Sequence, residues 1–352
     1  MLKIVPVLLL TFTLVWAQNP ESYDFRTAHT ECPITVLNQG QCGSCWAFSA
    51  IQQLNLRFCR QTNGSFNPLL SPQHLINCDK LDNGCNGGNI LSAYEHIEQH
   101  GVDKEECTPY TSGLTGKDGN CTNQCSDQKF SYTLSYVTDG NYMKPVVEAE
   151  RVKEEIMNHG PVSMSFAVYT DFKEFFIHNP KGIYTSKNGT LRGYHSVAVI
   201  GWGKEVVGNS SIEYWLVCNS WSSNFGDGGF FKIAFENDVE FGRIAEFGTP
   251  SINKPPPNAV PKPIKKNNSV QVGQPIKVSR LDEDVLQAAL QMMPDDMVLL
   301  DVISATTQVV NGIRYDLRVK AIPKSGNNEP KALRLIGTSD FQNNLVVSKR
   351  SQ

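Results

Sequence analysis

The cysteines limit this fold most: all ten lie between Cys32 and Cys218, and the remaining residues hold none. A thiol-rich stretch in an exported chain is expected to be stapled by disulfides. Met1–Ala17 reads as the export signal, with Lys3 as its positive start, an apolar run from Ile4 to Val15 and the small Ala17 at the cleavage point. That run is too short to cross about 30 Å of hydrocarbon, so it predicts cleavage, not anchoring. No later stretch is apolar enough to span a membrane. Beyond the cysteines, residues 254–268 read KPPPNAVPKPIKKNN, with five prolines, four lysines and no acidic residue. Such a segment favours an extended polyproline conformation and packs no core. The chain is therefore read as a signal at 1–17, a first unit at 18–250, a linker at 251–268 and a second unit at 269–352. Its 352 residues are enough for two cores.

Charge narrows the partners. The formal net charge is only −3, and no basic run is interleaved with aromatics, which argues against nucleic acid. Residues 269–352 carry ten basic and nine acidic residues, so the acidic excess lies in the first unit. In that unit Ala47, Ile51, Leu54 and Phe58 recur at helical steps, predicting a helix over 45–58. Short apolar or alternating runs at 162–169, 196–200, 214–217 and 230–234 predict strands. One helical part before a strand-rich part predicts a two-lobed α+β enzyme.

The chemistry concentrates at QGQCGSCWAF, residues 39–48. Gly43 is expected to let the backbone turn sharply into the helix, which puts Cys45 in the first turn. Free N–H groups and the positive end of the dipole favour a thiolate there. Gln39, six residues earlier, is the candidate oxyanion donor beside the Cys45 backbone N–H. The base is expected from His195 in YHSVAVIGWG, oriented by Asn219 in NSW, with Trp221 covering their bond. Cys42 and Cys45 form a C-x₂-C pair, but no second pair with zinc spacing accompanies it, so no metal or other cofactor is expected.

These motifs, with NGCNGGN at 83–89, GPVSMSFAVYTDF at 160–172 and NSWSSNFGDGGFFKI at 219–233, resemble the papain family of cysteine proteases, and within it the cathepsin B group, over residues 20–250. The resemblance implies a papain-like fold, a helical lobe beside a β-barrel-like lobe, and hydrolysis of peptide bonds in protein and peptide substrates. It implies that Gly87 and Gly88 line the substrate cleft, that Glu246 floors the pocket for the second residue before the scissile bond, and that Cys32–Cys59, Cys42–Cys85, Cys78–Cys121 and Cys107–Cys125 are bridged. Cys218 is left free. Three departures stand out. Residues 108–120 lack the histidine pair and internal disulfide of the loop that caps cathepsin B, which predicts an open cleft and internal cleavage. No room for an inhibitory propeptide lies between Ala17 and Pro20. Tyr194 stands where a small residue is usual.

In the second unit, Leu281–Met293 repeats apolar residues at helical spacing with Ser279 as its expected cap. Strand-like runs come next at 298–310, 313–322, 331–336 and 345–348, and Asn311–Gly312 signals a hairpin. One helix before an antiparallel sheet, with QVVNG at 308–312, resembles a cystatin. That resemblance implies that Gln308, Val309, Val310, Asn311 and Gly312 enter a papain-type cleft. The expected protein is thus a cysteine endopeptidase of the secretory route, extracellular or lysosomal, restrained by its own second unit. Two other readings stay open: a catalytically silent binding protein, and the precursor of a free protease inhibitor.

Overall fold

The computed structural model describes residues 19–185, 187–252, 271–325, 329–340 and 344–351. The export signal and most of the linker lie outside the described residues.

The chain opens with β1 (Tyr23–Asp24) and the short α1 (Phe25–Ala28). It then builds a helical lobe from α2 (Cys45–Gln61), α3 (Pro72–Cys78), α4 (Ile90–His100) and the single turn α5 (Ser112–Thr115). Each start has a local cause. Ser71 caps α3 by accepting from the His74 N–H, with Pro72 at the first position. Asn89 accepts from the Leu91 and Ser92 N–H groups to start α4. Helix α2 is buried nearly all round, from Cys45 to Cys59, because both lobes close on it. Helical periodicity predicts α2 only as far as Phe58; the helix runs on to Gln61.

The second lobe is a sheet wrapped by two helices. Its elements are β2 (Tyr136–Met143), α6 (Pro145–His159), β3 (Val162–Tyr169), α7 (Thr170–His178), β4 (Ile183–Tyr184), β5 (Leu191–Val207), β6 (Ser210–Cys218), β7 (Phe230–Ala234) and β8 (Ala245–Ser251). The strand order is β2-β8-β3-β5-β6-β7-β4, with β1 added at β5. Its core is rich in aromatic side chains, among them Phe166, Phe172, Trp221 and Phe231. A separate cluster around Trp46, Leu54, Ile90 and Tyr94 fills the helical lobe. Disulfides join Cys32–Cys59, Cys42–Cys85, Cys78–Cys121 and Cys107–Cys125. Cys218 is unbridged and buried beside Phe25 and Leu56, as a small apolar side chain.

The second unit has its own core. Strand β9 (Ile276–Val278) precedes α8 (Glu283–Met292), and β10 (Met297–Val310), β11 (Gly312–Pro323), β12 (Lys331–Ser339) and β13 (Leu345–Ser351) complete it. The antiparallel order is β13-β12-β11-β10-β9. Helix α8 lays Val285, Ala289 and Met292 on Leu317, Val319 and Leu335. Its cap is Asp282, which accepts from the Val285 N–H. Ser279, the cap expected from sequence, instead accepts from the Leu281 N–H in the turn before it.

Candidate active site

Cys45 is the first residue of α2 and is fully buried. The glycine before it is required by a close approach, not by its dihedral angles. Gly43 is not among the positive-φ residues, but a Cβ there would lie 2.1 Å from the Gly273 carbonyl oxygen and 2.6 Å from the Cys85 carbonyl oxygen.

His195 comes from β5, opposite Phe166 of β3. Its Nε2 lies 2.8 Å from Asn219 Oδ1, and Trp221 stacks on its ring with centroids 4.5 Å apart. Nδ1 has no hydrogen-bond partner among the described residues. The backbone of Ser196, the next residue on β5, reaches the Cys45 sulfur. Gln39 is fixed at both ends of its amide: Nε2 donates to the Cys42 carbonyl at 3.0 Å, and Oε1 accepts from Ser220 Oγ at 2.8 Å. The role of Ser220 is not visible in the motif NSW; only the fold brings it within reach of a residue on the other lobe.

The sequence predicts a thiolate–imidazolium pair. Burial in this structure disfavours both charged forms, pushing the Cys45 thiol up to about 12 and the His195 imidazole down to about 4. The second unit packs against this site along two lines.

The first line is a short segment around Val272. Val272 pairs with Gly88 in an antiparallel bridge, exchanging both backbone hydrogen bonds at 3.0 Å. The Gly273 N–H donates to the Tyr194 carbonyl at 2.9 Å, and a Cβ on Gly273 would lie 3.2 Å from Cys45 Sγ. Gly87, at φ 103°, meets this segment so closely that a Cβ would lie 2.6 Å from the Val272 oxygen. Gly88 is small for another reason, since its Cβ would strike the Trp46 ring at 2.6 Å. Val272 joins the apolar cluster of the helical lobe.

The second line is the β10–β11 hairpin. Thr307 Oγ1 donates to the Arg192 carbonyl at 3.0 Å. Gln308 Nε2 donates to both Cys85 O and Gly273 O at 2.8 Å, bracing hairpin, segment and cleft wall together. Val309 enters the aromatic core of the sheet lobe, and Val310 is buried. Asn311 donates from its backbone to Gly40 O at 2.8 Å and from Nδ2 to Asn38 Oδ1 at 3.0 Å. Gly312 does not take part: its φ is 109°, and a Cβ would strike the Ser339 oxygen of its own unit at 2.1 Å. Val272 and Gly273 are not singled out by the sequence motifs, although an apolar–Gly pair shortly after the linker is a usable signal.

Glu246 is buried inside the molecule, only 4 % exposed. It pairs with Ser163 across β8 and β3, and Ser163 Oγ lies 3.4 Å from the hydroxyl of Tyr94, a residue of the cluster that holds Val272. Burial pushes its carboxyl up to about 8, and its Oε1 has no partner among the described residues.

Known proteins place this site in context. Residues 19–248 match the description "Papain family cysteine protease". The chain is 32% identical over 224 residues to "Cathepsin B-like CP3" of Giardia intestinalis, covering 63% of this chain and 71% of that protein. It is 35% identical over 242 residues to the "Gut-specific cysteine proteinase" of Caenorhabditis elegans, covering 62% and 70%. Its fold superposes on procathepsin B S9 from Trypanosoma congolense with TM-score 0.60 and 26% identity, covering 69% of this chain and 82% of that one. With a match over most of its length and a two-lobed fold shared with procathepsin B, the chain belongs to the papain family of cysteine proteases and is a peptide hydrolase.

Proposed function

We propose that this protein is a cysteine endopeptidase of the secretory route, held inactive in cis by a cystatin-like second unit until the linker is cut. The observation that carries the reading is the segment Val272–Gly273. It pairs with Gly88 as a substrate backbone would, and it ends on Cys45.

Once the cleft opens to water, the burial that disfavours the charged pair is relieved. His195 takes the Cys45 proton, and the thiolate attacks the scissile carbonyl carbon. The oxygen gains negative charge and is met by Gln39 Nε2 and the Cys45 N–H. The C–N bond breaks as His195 gives its proton to the leaving amine. Water then attacks the thioester with His195 as base, releasing the acid and restoring the thiol. Asn219 holds the ring, and Ser220 holds Gln39 in register.

Tethering makes the restraint effective. A domain on a short linker faces its target at roughly millimolar concentration, so a weak inhibitor still occupies the cleft. The lysines of 254–268 make the linker a target for tryptic cutting. The test is peptide hydrolysis and Cys45 labelling by a thiol reagent, before and after nicking and dilution. Full-length protein is expected to be slow in both, and the nicked protein fast. Val309→Asp, which puts a charge into the aromatic core, is expected to release activity without nicking. Equal rates for intact and nicked enzyme at nanomolar concentration would sink the cis restraint.

A further inference from the structure

Arg192 is 1% exposed, yet its ion partners come from the other unit. Its Nη2 donates to Asp282 Oδ1 at 2.5 Å and to Asp284 Oδ2 at 2.8 Å, both at the start of α8. Its Nε and Nη1 have no hydrogen-bond partner among the described residues. The fork is therefore only partly used, and when the second unit leaves it loses both carboxylates.

Its position gives it a role in the reaction. Arg192 stands three residues before His195 on β5. With Trp221, which stacks on His195, it lines a cavity of about 540 Å³ between the two units. The segment 271–273 approaches Cys45 from the Gly88 side, in the direction of a substrate. The part of a substrate beyond the scissile bond must then continue on the side of His195, which protonates the leaving amine. The cavity of Arg192 and Trp221 lies on that side. Lys173 lines it too, and its Nζ donates to Ser339 Oγ of the second unit at 3.3 Å. The acids of the first unit nearby make bonds within that unit, although Asp171 Oδ1 has no hydrogen-bond partner among the described residues. Asp171 Oδ2 accepts from Tyr184 Oη and the Asn188 N–H, and Glu174 Oε1 contacts His178 Nε2.

We infer that Arg192 is a specificity-determining residue of the released enzyme, selecting an acidic side chain on the leaving-group side of the scissile bond. Asp282 and Asp284 fill that place in the intact chain. This inference rests on the protease reading with cis restraint. A buried or half-buried guanidinium that has lost its carboxylates is costly to leave unpaired, and a substrate carboxylate restores charge-assisted, fork-shaped bonds.

The test uses full-length protein, folded and then nicked and freed of its second unit, carrying Cys45→Ala so that peptides bind without turnover. Peptides that differ only by Glu or its isostere Gln, at each of the first three positions after the scissile bond, are compared by fluorescence anisotropy. At one position Glu is expected to bind about tenfold or more tighter than Gln, with the preference fading at high salt. Arg192→Gln should bring the ratio to about one, and Arg192→Lys should keep part of it. If these variants fail to fold, the unmodified-Arg192 peptide series still decides. Equal binding of Glu and Gln peptides at all three positions overturns the inference. Charge-selective binding that Arg192→Gln leaves intact also overturns it. Selective binding by an enzyme that hydrolyses nothing with Cys45 present would instead overturn the protease reading and leave the role of Arg192 standing.

Discussion

At the scale of single residues, the site divides into groups set by local sequence and groups set only by the fold. Cys45 and Gln39 are legible because helix start, nucleophile and oxyanion donor lie within one ten-residue run. His195 and Asn219 are legible through their motifs, but the sequence does not show what fixes them. Ser220 holds Gln39 across the two lobes, and that contact spans 181 residues. Gln39→Ala is expected to lower kcat about 10²–10³-fold in the nicked enzyme, the usual cost of losing one oxyanion donor. Ser220→Ala should cost less and should spare substrate binding, since it only frees the Gln39 amide to turn. Steady-state kinetics on one peptide separates these outcomes. A Gln39→Ala enzyme with unchanged kcat would remove Gln39 from the oxyanion site. The burial that disfavours the charged forms of Cys45 and His195 is out of reach of the sequence for a plain reason. A helix start lowers a thiol pKa only where water or a partner stabilises the thiolate, and here Cys45 is fully buried.

At the scale of elements, the strands and the helix of the second unit can be read from alternation, helical spacing and the Asn311–Gly312 turn. The cap of α8 cannot, because Asp282 is hidden among three consecutive acidic residues. Asp282 both caps α8 and grips Arg192, so one side chain ties a helix start to the other unit. That coupling predicts a pH dependence. Burial raises the Asp282 pKa, but hydrogen bonds from Arg192 and Thr190 and the charge of Arg192 outweigh it, holding it below the usual carboxylate range. A carboxylate lowered in the folded state contributes its stabilisation above its unfolded pKa, about 3.9, and loses it as pH falls through the lower folded value. The latch should therefore stay shut at pH 5 and open only below about pH 4. Arg192 faces Asp282 and Asp284 at the start of α8 and Tyr315 from β11. The rate of Cys45 labelling in full-length protein, traced from pH 6 to pH 3, is expected to be flat to about pH 4 and then to rise. Asp282→Asn should raise the flat part and flatten the step. A step centred near pH 6 would assign the latch to another group.

At the scale of the whole molecule, two units with separate cores meet at Val272 and at Val309, besides the Arg192 contact. Val272 is built into the core of the helical lobe and Val309 into that of the sheet lobe. The second unit therefore touches both walls of the cleft at once, and no single lobe needs to move to exclude it. Residues 108–120 stand where cathepsin B carries its capping loop. They form the turn α5, where Gly113 O accepts from the Gln41 N–H, and Asp118 Oδ1 accepts from the Cys85 N–H. These bonds hold the segment against the cleft wall, and it brings no histidine to grip the terminal carboxylate of a substrate. The released cleft should therefore be open along its length, and long chains should be cut internally. The nicked enzyme, incubated with an unfolded protein blocked at both ends, is expected to give internal peptides of mixed length. If Glu246 floors the pocket under the Val272 seat, arginine should be enriched two residues before the cuts, and Glu246→Ala should erase that enrichment. Mass spectrometry of the products reads both features in one experiment. Successive loss of dipeptides from free C-termini, with blocked chains left whole, would show that another part of the molecule caps the cleft.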